Sequence, residues 1–235
     1  MRDSLRNGFT AALPAAISVA AYGSVLGVLA AQRGLSWQEL LLMNLLVFAG
    51  SSQLVVVEMW ATPLPIFSAA LATLIINLRY LLIGASLHSM FEGRSLVYKL
   101  LHIHLVADEN WAVTMAAYRQ GKAGPSFLLG GGLSVQLAWC SGTLLGHWLG
   151  AGIRNPEVYA LDFAFLAVFT ALAVSLWRGK RDLLPWLAAG VAAVLVERWV
   201  PGKWYVLAGG LSGAGVAALQ VILDKGRNSM AEVVR

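Results

Sequence analysis

An arginine and an amide lie deep inside one apolar run, and any fold for this chain must accommodate them. From Leu64 to Leu87 the sequence is almost wholly apolar, yet it contains Leu74-Ile75-Ile76-Asn77-Leu78-Arg79-Tyr80-Leu81-Leu82-Ile83-Gly84. A run of this length crosses a bilayer, because about 20 apolar residues rising ~1.5 Å each span its ~30 Å hydrocarbon core. An arginine at mid-span costs roughly 2.5–3.5 kcal/mol on insertion scales. Snorkelling is one way to relieve that cost. However, Arg79 lies about 12 Å of helical rise before Leu87, and its stem reaches roughly half that distance. Arg79 is therefore expected to face a polar or wet cavity inside the protein. Asn77, two residues away, points about 200° round an unbroken helix. Both can share one cavity only if the helix is interrupted, a device of midplane transporter sites.

The rest of the chain has the same character. Hydrophobic residues make up 58% and charged residues 12%, about half the ~25% charged residues of a soluble protein. The fold class expected is an all-α polytopic membrane protein with about seven to eight transmembrane helices, some broken at midplane. Residues 1–235 form one transmembrane domain, with a polar, loose tail over 224–235. The formal net charge of +5 then reflects basic cytoplasmic loops rather than nucleic-acid binding. One cysteine, Cys140, excludes an internal disulfide. No cofactor is expected, and no metal either: His102-x-His104 has the spacing of a strand rather than a helix and lacks a third ligand.

The first span runs from Phe9 to Ala31 and contains Pro14, Gly23 and Gly27. After a turn, Ser36 and Glu39 make a capping box. The second span, Glu39 to Trp60, carries Phe48-Ala49-Gly50-Ser51-Ser52-Gln53 at its middle, a second polar interruption. Either these serines and Gln53 bond within the bundle, or the backbone there unwinds and offers its groups to a ligand. The third span contains Asn77 and Arg79. The fourth segment, Leu96 to Tyr118, is the least apolar: it is either a further crossing, which makes eight, or stays on one side, which leaves seven. His104 and Asp108 are four apart and share a helix face. Asp108 and Glu109 lie between the apolar stretches Leu100–Ala107 and Trp111–Ala117. They are read either as a solvated loop or as carboxylates with too little water for both to ionise, and so able to carry a proton.

The fifth span, Ser126 to Gly150, bears a ridge of Ala138, Gly142, Gly146 and Gly150. With Gly209 and Gly213 in the last span, it is expected to offer a close-packed face to a partner. The sixth span, Val158 to Trp177, holds Asp162, either a helix-dipole partner or a site residue. Leu183–Val200 and Trp204–Leu223 complete the count. With eight crossings, ten Lys/Arg fall on the N-terminal side and six on the other, which places the N-terminus in the cytoplasm. A faint internal repeat relates halves at about 9–88 and 126–200.

Four motifs in order, Ala49-Gly50-Ser51-Ser52-Gln53, Asn77-Leu78-Arg79-Tyr80, Asp108-Glu109-Asn110-Trp111 and Leu161-Asp162-Phe163, resemble the AzlC-type family, the large subunit of branched-chain amino-acid exporters. The resemblance covers roughly residues 5–200. It implies export of branched-chain amino acids across the cytoplasmic membrane, driven by the proton gradient. It also implies a small partner membrane subunit of the AzlD type. Some relatives handle methionine. Family members often carry His where this chain has Tyr80. In this reading Arg79 serves the substrate carboxylate, with Asn77 beside it. Gly50, Ser51, Ser52 and Gln53 supply polar groups, and Phe48 lines an apolar pocket. Asp108 and Glu109, with His104 and Asp162, carry the proton. Two rival classes are a channel-like or structural membrane subunit, and an intramembrane hydrolase using Ser51, Ser134 or Ser141. The hydrolase lacks any GxSxG elbow or HExxH motif.

Overall fold

The structure, a computed structural model, describes residues 4–61, 63–152, 170, 174, 177, 179–200 and 204–233. Every regular element among them is helical: α1 (Leu5–Gln32), α2 (Trp37–Leu46), α3 (Gly50–Glu58), α4 (Ile66–Asn77), α5 (Arg79–Ser86), a 3₁₀ turn (His88–Phe91), α6 (Leu96–His104), α7 (Asp108–Tyr118) and α8 (Pro125–Ala151), then a 3₁₀ turn (Lys180–Asp182), α9 (Leu183–Trp199) and α10 (Trp204–Val233). The chain divides into two compact units, Met1–Pro65 with Ile76–Val168, and Ile66–Ile75 with Phe169–Arg235. The all-helical class is as expected. The sixth span, the Leu161-Asp162-Phe163 motif and much of the second repeat half lie outside the described residues.

The first unit is built on α1 and α8. Gly8 lies against Phe127, Ala20 against Gly142, Ser24 against Gly146 and Val28 against Gly150. Residue numbers rise together along both helices, so the two run parallel. Their backbones touch because the facing positions lack a Cβ, and in lipid such close contact drives helix association where hydrophobicity cannot. The glycine ridge expected to meet a partner is therefore covered by this chain's own α1.

The segment Glu39–Trp60, expected to cross the membrane, instead folds back on itself, and so does Leu96–Tyr118, for which both readings stood open. The Ser36–Glu39 capping box starts α2, and the Ser36 hydroxyl and amide hold the exposed Glu39 carboxyl below its ordinary pKa. His147 Nε2 bonds the Leu35 carbonyl at 2.7 Å, tying this end to the C-terminal part of α8. Val47 and Ala49 leave helical geometry, and α3 then returns, because Glu58 pairs with Arg33 at 2.8 Å. A straight helix from Trp37 would carry Glu58 about 30 Å away. The α6–α7 segment behaves in the same way at the other end. The Tyr98 ring centroid lies 6.3 Å from that of Phe91, and the Tyr118 hydroxyl bonds Ser89 at 3.4 Å. On one straight helix Tyr98 and Tyr118 would stand about 30 Å apart. Leu87, Met90, Phe91, Val106 and Leu128 form one buried cluster, so this hairpin enters from the end where α8 begins.

Consequently Glu39–Trp60 and Leu96–Tyr118 are re-entrant hairpins that enter from opposite ends of the unit. Three helices are long and apolar enough to cross a membrane among the described residues: Leu5–Gln32, Ile66–Ser86 and Pro125–Ala151. The hairpins also move charges. Arg94 and Lys99, placed by the eight-crossing count opposite the N-terminus, lie at the end where α1 starts.

In the second unit α9 and α10 form an antiparallel pair. Gly209 faces Ala189 and Ala193, and Gly213 faces Pro185 and Ala189. This second small-residue face is thus also covered from within the chain. Arg181 pairs with Asp224 at 3.3 Å. The tail expected to be loose instead continues α10 to Val233.

Candidate functional site

Each hairpin tip interrupts backbone hydrogen bonding inside an apolar unit, so each needs polar partners of its own. The α2–α3 tip finds them on the middle of α8, a helix of 27 residues and so about 40 Å long. Trp139 Nε1 donates to Gln53 Oε1 at 2.9 Å and to Asn44 Oδ1 at 3.1 Å. Gln53 Nε2 donates to Asn44 Oδ1 at 2.9 Å, and Asn44 Nδ2 donates to Thr143 Oγ1 at 2.7 Å. Gln136 Nε2 donates to the Asn44 carbonyl at 3.0 Å. Gly50 opens α3 against the Trp139 ring, where a Cβ would come to 2.8 Å. The α6–α7 tip is held by Asn110, which is fully buried. Its Oδ1 accepts from the Ala107 N–H at 2.6 Å, and its Nδ2 donates to the carbonyls of Leu105 and Leu128.

An interruption was also expected between Asn77 and Arg79, but Leu78 keeps helical dihedrals (φ −54°, ψ −28°). Hence α4 and α5 run on as one helix, Ile66–Ser86, and Asn77 and Arg79 leave it in different directions. Arg79 is the first residue of α5 and reaches both hairpin tips. Its Nη1 pairs with Asp108 Oδ2 at 2.7 Å. Its Nη2 donates to Ser51 Oγ at 3.0 Å. Its Nε is buried and has no partner. The guanidinium stands 5.3 Å from the centre of the Tyr80 ring, within cation–π range. Both members of the ion pair stay partly open, at 38% exposure for Arg79 and 46% for Asp108.

Both hairpin tips and the Asn77–Tyr80 face of the α4–α5 helix border one recess of about 250 Å³, lined by Leu46–Ala49, Asn77, Tyr80, Ile103, His104 and Val106. That is just below the roughly 300–1,000 Å³ of pockets that take drug-sized molecules, so it suits a smaller solute. Its walls are mainly apolar. Asn77 Oδ1 is buried there without a hydrogen bond. His104 Nε2 bonds the Leu45 carbonyl at 2.8 Å, which joins the ends of α6 and α2; since a carbonyl only accepts, that nitrogen carries the proton.

The residues singled out from sequence separate into groups. Phe48, Asn77 and His104 line the recess, and Arg79, Ser51 and Asp108 meet beside it. Gly50 and Gln53 belong to the Trp139 scaffold, and Ser52 closes on the Ala49 carbonyl at 2.9 Å. Glu109 follows Asp108 on α7 and is exposed on the surface of the chain. Asp162 lies outside the described residues. Sequence reasoning missed Asn44, Asn110, Gln136 and Trp139. Asn44 and Asn110 carried a usable signal, since each is an amide within an apolar segment. Trp139 carried none.

The family model described as AzlC protein matches residues 14–153, a stretch that holds both hairpins, Arg79 and the recess. An uncharacterized membrane protein of Archaeoglobus fulgidus is 30% identical over 74% of this chain and 77% of its own. The inner membrane protein YgaZ of Escherichia coli K12 is 28% identical over 73% of this chain and 72% of its own. The branched-chain amino acid transport protein AzlC of Bacillus subtilis is 24% identical over 83% of this chain and 79% of its own. No solved structure matches the chain. With more than half of its length matched by the family model, including every element around Arg79, this membrane protein belongs to the AzlC family.

Proposed function

We propose that this protein exports branched-chain or similarly apolar amino acids across the cytoplasmic membrane. It acts as the large subunit of a two-component exporter with a small AzlD-type partner, and the proton gradient drives it. The observation that carries the reading is Arg79, a cation held at the tips of two opposed hairpins beside a small, mainly apolar recess. A free amino acid needs a cation for its carboxylate and an apolar wall for its side chain, and interrupted helices at mid-depth are how transporters supply both. The name of the Bacillus subtilis relative supports the substrate class. Glu109, the carboxylate that follows Asp108 on α7, carries the proton, while Asp108 pairs with Arg79.

The hairpins also support a cytoplasmic N-terminus. Arg6, Arg94, Lys99, Arg119 and Lys122 lie at the end of the first unit where α1 and α8 start, whereas Arg33 lies at the opposite end. Short cytoplasmic loops are enriched in Lys and Arg. The test is counterflow of labelled amino acids in liposomes containing the purified chain, with and without the small subunit. Saturable leucine, isoleucine or valine counterflow supports the reading. Flux that tracks only the gradient of a passive pore, without counterflow, overturns it.

A further inference from the structure

The Arg79–Asp108 contact joins opposite charges that stand on different elements. Arg79 stands on the α4–α5 helix, and Asp108 opens α7 just after the Leu105–Ala107 link, where the backbone is extended. Their separation therefore depends on how that link is set, not on one rigid helix. Both side chains are partly open, so the pair is within reach of a ligand. The guanidinium keeps an unused donor at Nε, and Asn77 Oδ1, on the wall of the recess, has no hydrogen bond. Asn77, Tyr80 and Val106, which flank the pair in sequence, line the recess.

We propose that this ion pair is the receptor for the zwitterionic head of a free amino acid. The head inserts between the two side chains, its carboxylate on Arg79 and its ammonium on Asp108, with the side chain in the recess. Insertion replaces one pair of opposite charges by two, so net charge is unchanged and neither protein charge is left alone. A ligand with a single charge fails this condition. A carboxylate alone takes Arg79 from Asp108 and leaves the acid unpaired, and an amine alone does the reverse. Ser51 Oγ, on the opposite hairpin, holds Nη2 and so keeps the guanidinium in place as Asp108 parts from it. In the absence of substrate, Asp108 occupies the position of the substrate carboxylate.

The inference rests on the transport reading for its choice of an amino acid as ligand. Its test is therefore binding rather than flux. Displacement of labelled leucine from the purified full chain is measured with leucine, with 4-methylpentanoate, which lacks the ammonium, and with 3-methylbutylamine, which lacks the carboxylate. A hydrogen bond to a charged group contributes about 1.5–3 kcal/mol, so each analogue should bind about 10- to 150-fold more weakly than leucine. In Asp108→Asn the advantage of leucine over 4-methylpentanoate should fall below about tenfold, while its advantage over the amine persists. Arg79→Gln should show the mirror pattern. Near-equal affinity of the wild type for all three ligands overturns the inference without needing any variant. So does an unchanged leucine-to-4-methylpentanoate ratio in folded Asp108→Asn. Selective leucine binding without counterflow leaves the inference standing and removes the transport reading. Counterflow with equal affinities does the opposite.

Discussion

The contact between α1 and α8 allows a graded test with one extra methyl group. A Cβ on Gly146 would lie 2.6 Å from the Ser24 carbonyl carbon and 2.7 Å from its Cα. Carbon atoms in good contact sit about 3.5–4.0 Å apart, so Gly146→Ala must push the two backbones apart by about 1 Å. A gap of that size forfeits roughly a quarter to a half of each neighbouring contact. Overpacking ordinarily costs about 1–3 kcal/mol; here a helix backbone has to move rather than a side chain, which points to the upper end, about 3 kcal/mol. In a chain of this size each kcal/mol shifts Tm by about 2–4 °C, giving a fall of about 6–12 °C. Gly23→Ala meets Trp139 and Thr143 at 3.1–3.3 Å and should lose less. Gly84, in α5, has nothing within 4 Å of its would-be Cβ. Removing its backbone freedom should raise stability by about 0.5–1 kcal/mol. Thermal unfolding in detergent of the three variants checks the order. A Tm for Gly146→Ala equal to that of the wild type, or above that of Gly84→Ala, would refute the parallel α1–α8 packing.

Trp139→Phe removes the donor to Gln53 Oε1 and Asn44 Oδ1. It leaves a buried acceptor unpaired at a cost of about 1–3 kcal/mol, so Tm should drop by about 2–12 °C; an unchanged Tm would show that the Trp139 network does not hold the tip. The returning α3 is checked by Arg33→Cys with Glu58→Cys in a Cys140→Ser background. A short bismaleimide should join the two thiols, because the native side chains meet at 2.8 Å, whereas a straight crossing would hold them at least about 30 Å apart and leave them unjoined. Glu109→Gln should abolish leucine flux driven by a pH gradient yet leave leucine exchange intact, measured side by side in the same liposomes. An unchanged gradient response would remove Glu109 from the coupling.

Much of this architecture could be read from residue chemistry, and what could not has a specific cause. The helical class follows from apolar runs that only helices can carry through lipid. An interruption was expected near Leu78 because Asn77 and Arg79 are two apart and both too polar for hydrocarbon, but Leu78 stays helical and Asn77 instead shares the recess with Tyr80, three residues on. The turn-backs at Val47–Ala49 and Leu105–Ala107 were not legible. Those residues are apolar and have no turn chemistry, and the reversal is held by Asn44, Gln53 and Trp139 in one hairpin and by Asn110 in the other. Contacts about 90 residues apart leave no local trace. The same blindness misassigned the glycine ridges. Spacing shows that a helix has a face for close approach, but not that α1 already covers Gly142, Gly146 and Gly150.

The central claim is that Arg79 holds the substrate at the meeting point of the two hairpins. The most direct test compares leucine counterflow by wild type and Arg79→Lys in liposomes with the small subunit present, after confirming equal folding by Tm. Lysine keeps the charge but lacks the planar fork that can hold Ser51 and a carboxylate together. The account predicts a loss of at least about tenfold in kcat/KM, the effect of one charge-assisted hydrogen bond. Counterflow kinetics in folded Arg79→Lys indistinguishable from those of the wild type would contradict it.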